Sequence, residues 1–296
     1  MNRWFYGKHR RFLPLFRVTL SASVMLWAGC ADHLAKTDRI AADYKLEKRH
    51  LIGRGFTHLA YYSRGRNHGS TLHVYLSGDG SPWIGGTRIA TDPTPRNPVT
   101  LRLMSMDPDP SLFLGRPCYH GLAQSSACDP SKWTSGRYSE AVVASMAEAL
   151  QGFVNQNGYE NVVLIGYSGG GVLAWLIAER AGNAKALVTI AANLDIDAWT
   201  ELHGYTPLHD SLNPATRGPL PSQIRQLHVV GERDTNVPPS LVRAALNDVD
   251  DPPGDNVDPR TTLAVKFASH RCCWEALWPD ILEDIRHMSI MWAKET

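Results

Sequence analysis

Short apolar runs alternate along the chain with longer segments whose apolar residues recur every three or four positions. The runs are aliphatic or β-branched and end in Gly, Asn or a polar turn, which predicts strands at 71–78, 111–115, 161–166, 185–193, 223–231 and 261–267. The periodic segments predict helices at 98–106, 138–154, 171–181, 239–249 and 273–292. This alternation predicts an α/β fold, with a mostly parallel central sheet and helices on both faces.

Two stretches depart from this alternation. Residues 194–222 are rich in Pro and Gly and have little periodicity, which predicts a long insert between two strands of the kind that usually serves a function. Residues 31–54 are polar and charged, so we expect a tether or an N-terminal helical segment outside the core. A single domain is therefore predicted over 55–296.

The first thirty residues have the composition of an export signal. A basic segment without acidic residues precedes a mostly apolar stretch, 18–29, that is too short to span a bilayer comfortably. Cys30 follows this stretch directly. The tripeptide Ala28-Gly29-Cys30 resembles a lipobox, although Trp27 stands where Leu is usual. We predict a lipoprotein-type signal peptide at 1–30, lipid attachment at Cys30 and a periplasmic or cell-envelope location on the membrane. Ordinary secretion, and a retained anchor or a cytosolic chain, are the alternatives.

Composition narrows the possible partners. The 30 basic and 29 acidic residues nearly balance and form no basic stripe, which argues against a nucleic-acid partner. If Cys30 is lipidated, four cysteines remain, and an even number in an exported chain predicts disulfides with three possible connectivities; they are Cys118, Cys128, Cys272 and Cys273. Without a CxxC pair or a His-rich spacing, they predict no metal site, and we expect no cofactor.

One serine lies where a predicted strand turns into a predicted helix. The segment 162–171, VVLIGYSGGG, contains G-x-S-x-G formed by Gly166, Ser168 and Gly170. Small residues let the strand and helix approach closely, so that the serine projects at the carboxyl edge of the sheet. In this context the motif predicts a nucleophile; the alternative is a Gly-rich connecting turn.

With these features the chain resembles the α/β-hydrolase superfamily over about residues 55–294. That family orders its catalytic residues as Ser, acid, His, each after a strand. Residues 227–239, LHVVGERDTNVPP, match the acid turn at Asp234, and residues 263–274, LAVKFASHRCCW, match the histidine turn at His270. The resemblance implies that His270 activates Ser168 and that Asp234 orients His270.

Rival residues remain for the acid and the base. Some members of the family take the acid from the preceding strand, which would select Asp195 or Asp197. The other histidine after the acid is His287, within the last predicted helix.

The resemblance also implies an oxyanion hole and a substrate-facing rim. The donors would be the backbone N–H of Gly169 and that of Asp79 or Gly80, in a loop where Ser77 replaces the usual His. Trp83 and Tyr167 are predicted to contact substrate, because aromatic side chains suit acyl groups. The loop is no P-loop, since it lacks the Lys and the following helix.

The sheet order of the family places Cys118 and Cys128 several strands away from Cys272 and Cys273. The resemblance therefore implies a bridge between Cys118 and Cys128, with the adjacent pair either free or joined to each other. The implied activity is hydrolysis of a carboxylic ester in a small-molecule or lipid-like acyl substrate. An amidase or peptidase, or a catalytically silent envelope binding protein, are the alternatives.

Overall fold

A computed structural model describes residues 33–246 and 260–292. The predicted signal peptide and the lipidation site Cys30 lie outside the described residues. Within them, no helix has the length and apolar character needed to cross a membrane.

The centre of the molecule is an eight-stranded sheet in the order β1-β2-β6-β3-β7-β8-β9-β10. Six of these strands are mutually parallel, and β1 and β2 extend one edge in antiparallel fashion. The strand bounds are β1 Glu47–Gly53, β2 Phe56–Ser63, β3 Thr71–Leu76, β6 Ser111–Leu114, β7 Asn161–Tyr167, β8 Ala184–Ile190, β9 Arg225–Gly231 and β10 Thr261–Lys266; β4 Trp83–Ile84 and β5 Arg88–Ile89 form a separate hairpin.

Helices cover both faces of the sheet. Their bounds are α1 His33–Asp43, α2 Val99–Ser105, α3 Glu140–Asn157, α4 Gly169–Ala178, α5 Ile196–His203, α6 Pro239–Ala245 and α7 Trp274–Trp292. Alternate residues of β7 enter two separate apolar clusters: Leu164 joins the one that includes α3 and α4, and Ile165 joins the one that includes α2 and α7. A strand buried on both faces needs this continuous apolar sequence. The predicted mostly parallel sheet with helices on both faces is confirmed.

The structure differs from the sequence interpretation at two places. Residues 33–43 form α1, the helical alternative of the prediction, but β1 pairs with β2 along its whole length and so belongs to the sheet, which was expected to begin after residue 54. The error has a physical cause: most of β1 is exposed at the sheet edge, so its sequence is polar. The insert 194–222 is also less irregular than its sequence indicates, since it contains α5 and a short 3₁₀ helix, Pro214–Thr216.

The described residues contain two disulfides. Cys118 and Cys128 are joined with their Cα atoms 5.6 Å apart, the pairing that the resemblance implied. Cys272 and Cys273 are bonded to each other, which selects the vicinal pair from the two alternatives for these residues.

Candidate active site

Ser168 occupies a strained turn between β7 and α4. Its backbone has φ 53° and ψ −130°, in a region that residues other than glycine rarely adopt. The flanking sequence explains how the turn fits, because a Cβ on Gly166 would overlap the carbonyl oxygen of Gly170. The two glycines of G-x-S-x-G are thus required by close approach of strand and helix.

A hydrogen-bonded chain runs from Ser168 through His270 to Asp234. The Ser168 Oγ lies 3.1 Å from His270 Nε2, and His270 Nδ1 lies 2.8 Å from Asp234 Oδ2. The Asp234 carboxylate is buried, and its Oδ1 accepts the backbone N–H groups of Asn236 and Val237 at 2.9 and 2.8 Å. These residues follow the carboxyl ends of β7, β9 and β10, where ligands collect in open α/β sheets.

Neighbouring aromatic residues hold the His270 loop in place. The hydroxyl of Tyr167 donates to the carbonyl oxygen of His270, and Trp274 Nε1 donates to the same oxygen at 3.1 Å. The Tyr167 ring also packs against the imidazole, with centroids 5.6 Å apart. Burial raises the pKa of the Tyr167 hydroxyl, consistent with a neutral donor. Tyr167, which we predicted to contact substrate, has its hydroxyl engaged in supporting the histidine loop.

The rival acids and the rival histidine make their contacts elsewhere. Asp195 caps the amino end of α5 by accepting the backbone N–H groups of residues 197 and 198. Asp197 accepts a hydrogen bond from Asn213 at 3.0 Å. His287 is exposed on α7 and faces Glu283. The structure therefore gathers Ser168, His270 and Asp234, and leaves the alternatives in structural or surface roles.

The loop predicted to supply an oxyanion donor packs directly against the serine. A Cβ on Gly78 would lie 3.2 Å from the Cβ of Ser168. Gly169 is the first residue of α4, where backbone N–H groups lack partners within the helix and attract negative charge. The two predicted donor segments thus both lie beside Ser168. That Asp79 or Gly80 supplies the second N–H remains a prediction.

The side chain of Asp79 belongs to a buried ionic cluster behind this loop. Its carboxylate accepts hydrogen bonds from Arg116 at 2.8 Å, Arg137 at 2.7 Å and Tyr138 at 2.7 Å. Burial raises the pKa of Asp79, but the two guanidinium groups outweigh this effect and hold it at about 2. The Tyr119 hydroxyl also donates to the Asp79 carbonyl oxygen at 3.0 Å. Both the side chain and the backbone of Asp79 are therefore fixed.

The residues that surround Asp79, and one that touches His270, were not predicted from the sequence. Arg116 follows β6 at the carboxyl edge of the sheet, which was a usable signal, but nothing in the sequence reveals that it is buried. Asn236 lies two residues after the acid, and its Nδ2 lies 3.1 Å from His270 Nε2. A polar residue at that position in the acid turn is a signal that could have pointed to a contact with His270.

Trp83 lies in β4 of the hairpin that follows the Asp79 loop. Its side chain is 40% exposed, and its backbone pairs with Ile89. Contact between Trp83 and a substrate remains a prediction.

One group among the described residues has potential metal ligands close together, namely His73, Asp107 and Asp109. The His73 Nδ1 lies 2.7 Å from Asp107 Oδ2, and the Tyr75 hydroxyl donates to the same oxygen. Asp107 lies just before β6, at the end of the sheet opposite to Ser168. Internal hydrogen bonds account for this buried polar group, so we assign it to the fold.

Comparison with known proteins agrees with this architecture. Residues 118–254 match the model of the FSH1 serine hydrolase family. No curated protein sequence matches the chain. Three solved structures illustrate the likeness in fold, each at 13% sequence identity.

An α/β serine hydrolase without lid from Xanthomonas campestris has a TM-score of 0.52 over 83% of this chain and 94% of its own. The Pyrococcus furiosus esterase Pf2001 has a TM-score of 0.56 over 85% and 95%. A membrane phospholipase A described as a bacterial virulence factor has a TM-score of 0.54 over 88% and 91%. The sheet, the strained serine turn and these matches lead to one assignment: the chain has the α/β-hydrolase fold.

Proposed function

We propose that the protein is a serine hydrolase that forms an acyl-enzyme at Ser168, and that its substrates are carboxylic esters. The observation that carries this proposal is the continuous chain from Ser168 Oγ to His270 at 3.1 Å and from His270 to Asp234 at 2.8 Å. A serine hydroxyl is a weak nucleophile by itself, and these are the contacts by which a base and an orienting acid activate it.

The geometry supports a two-stage reaction. As Ser168 Oγ attacks the ester carbonyl carbon, its proton passes to His270 Nε2, and Asp234 stabilises the resulting imidazolium through Nδ1. The backbone N–H of Gly169 and that of Asp79 or Gly80 would bind the developing oxyanion. His270 then protonates the departing alcohol. In the second stage, His270 takes a proton from water as the water oxygen attacks the acyl carbonyl carbon. His270 then returns a proton to Ser168 Oγ, which releases the carboxylic acid and restores the serine.

Ester chemistry is favoured by the similar folds of an esterase and of a phospholipase A. We therefore include a lipid-like acyl substrate within the proposal. The predicted lipid at Cys30 would hold the enzyme in the cell envelope, close to such substrates. Fractionation of cells expressing the wild type and Cys30→Ala tests this location: the wild type is expected in the membrane fraction and the variant outside it.

Labelling with a fluorophosphonate probe tests the nucleophile. The full chain is expected to react, and Ser168→Ala is expected to remain unlabelled. A suitable control is Ser135→Ala, because Ser135 donates to Asp210 on the surface rather than to His270. Labelling that persists in Ser168→Ala would contradict the proposal.

A panel of p-nitrophenyl esters with short and long acyl chains, together with aminoacyl amides, tests the reaction class. We expect hydrolysis of esters that depends on Ser168. Turnover of the amides alone would replace the ester assignment with an amidase. Absence of both turnover and labelling would favour a silent binding protein.

A further inference from the structure

The His270 Nε2 atom has a second polar neighbour besides the serine. Asn236 Nδ2 lies 3.1 Å from Nε2, the same distance as Ser168 Oγ. Because Nδ1 donates its proton to Asp234, Nε2 of the neutral ring carries a single lone pair. The serine hydroxyl and the asparagine amide therefore share one acceptor in the resting protein.

We propose that Asn236 is a positioning residue that favours the neutral form of His270 and so sets the pH at which Ser168 becomes reactive. This inference rests on the proposed function. An amide N–H that donates to Nε2 stabilises the unprotonated ring, and a hydrogen bond to the neutral form opposes protonation. Once Nε2 takes the serine proton the amide N–H can no longer donate, so the amide must turn to present its oxygen.

Asn236 is held at this distance by both of its backbone polar groups. Its N–H donates to Asp234 Oδ1 at 2.9 Å. Its carbonyl oxygen accepts Trp199 Nε1 at 3.0 Å and lies 2.7 Å from His203 Nε2. Trp199 and His203 both belong to α5, within the insert 194–222. Asn236 thereby connects the insert 194–222 to His270.

The other charged or titratable groups near His270 are Asp234, Tyr167, Arg271 and Glu275. Asp234 bonds Nδ1, and Tyr167 packs against the ring and bonds the backbone carbonyl. Arg271 is the next residue in the chain, and Glu275 lies in the first turn of α7. Both act electrostatically on the Tyr167 hydroxyl. Among the described residues, the hydrogen-bonding neighbours of Nε2 are Ser168 Oγ and Asn236 Nδ2, so substitution of Asn236 changes that side selectively.

The pH dependence of fluorophosphonate labelling tests this role without knowledge of the substrate. The second-order labelling rate of the full chain is measured between about pH 5 and 9 at constant ionic strength for the wild type, Asn236→Ala and Asn236→Asp. Asn236→Asp introduces a negative charge beside Nε2, so the midpoint of the acid limb is expected to rise by about one pH unit or more. Asn236→Ala removes the donor and is expected to raise it by about half a unit.

Thr235→Asp is the matched control, because it adds the same charge at an exposed neighbouring position. Screening by salt is expected to limit its shift to less than about 0.3 unit. Partial unfolding would lower the amplitude of labelling but would not move the midpoint. A midpoint in Asn236→Ala within about 0.2 unit of the wild type, or a shift in Asn236→Asp no larger than that of Thr235→Asp, would overturn the inference.

Different results would contradict the proposed function and the role of Asn236. If the wild type is not labelled at Ser168, the proposed function fails. If the wild type is labelled at Ser168 but the midpoint does not respond to Asn236, the hydrolase stands and only the role of Asn236 is lost.

Discussion

Two aspartates flank Ser168, Asp234 buried and Asp79 half-buried, and their surroundings give them different properties. Asp234 accepts two backbone N–H groups and the imidazole of His270, a partner that can gain or lose a proton. Asp79 accepts hydrogen bonds from Arg116 and Arg137, which stay charged throughout the ordinary pH range. The first arrangement suits proton transfer, whereas the second fixes a charge in place.

The contrast indicates how the molecule divides stability from chemistry around one hydroxyl. The Asp79 cluster is an ionic anchor for the loop predicted to bind the oxyanion, and its two cations leave a net positive charge behind that loop. A lone carboxylate there would repel a developing oxyanion. We therefore expect loss of Asp234 to reduce activity far more than stability, and loss of Asp79 to reduce stability strongly.

The largest expected effect is on turnover in Asp234→Asn. The amide cannot stabilise the imidazolium and favours the wrong tautomer of His270, so Ser168-dependent ester hydrolysis should fall by about 10³- to 10⁴-fold. Asp197→Asn, which alters the rival acid, should retain activity close to that of the wild type. The distinction between the two aspartates would collapse if Asp234→Asn kept most of its activity.

The next effect is on folding, in Asp79→Asn. Removal of the charge leaves two buried guanidinium groups without their counter-ion, which should lower the free energy of unfolding by about 3 to 5 kcal/mol. Denaturant unfolding measures this change, with Asp210→Asn as the control because Asp210 is exposed and bonds Ser135. A loss below about 1 kcal/mol would mean that the cluster does not anchor the fold.

The smallest effect is the pH dependence of the difference in unfolding free energy between the wild type and Asp79→Asn. The pKa of Asp79 is lowered from 3.8 to about 2 in the folded protein, so its charge contributes stability above pH 3.8 that is lost as the pH falls through about 2. The stability gap between wild type and Asp79→Asn should stay constant from about pH 8 to 4. It should then narrow by about 2 kcal/mol towards pH 2. A gap that already narrows between about pH 7 and 5 would assign the effect to another group.

Several features of the molecule could be predicted from local sequence because their causes are local. The apolar run of β7 followed by the glycines around Ser168 indicates a strand, a sharp turn and a helix, since each follows from backbone sterics and burial. The positions of Asp234 and His270 came from matching turns to a known family. The structure then brings His270 to Ser168 and Asp234 to His270.

The residues that escaped prediction depend on contacts across the fold. The polar strand β1 belongs to the sheet because its neighbour β2 supplies hydrogen bonds along one edge. Arg116 and Arg137 come from different segments, and only their meeting at Asp79 makes their burial favourable.

The sequence by itself determined the alternation of strands and helices and the strained serine turn, because periodicity and glycine spacing act over a few residues. The order of the three candidate catalytic residues came from the resemblance to a known family. Only the tertiary structure decided which polar groups meet. It set Asn236 against His270 and two arginines against Asp79, since a hydrogen bond depends on the separation of two atoms in space, which distant sequence positions do not reveal.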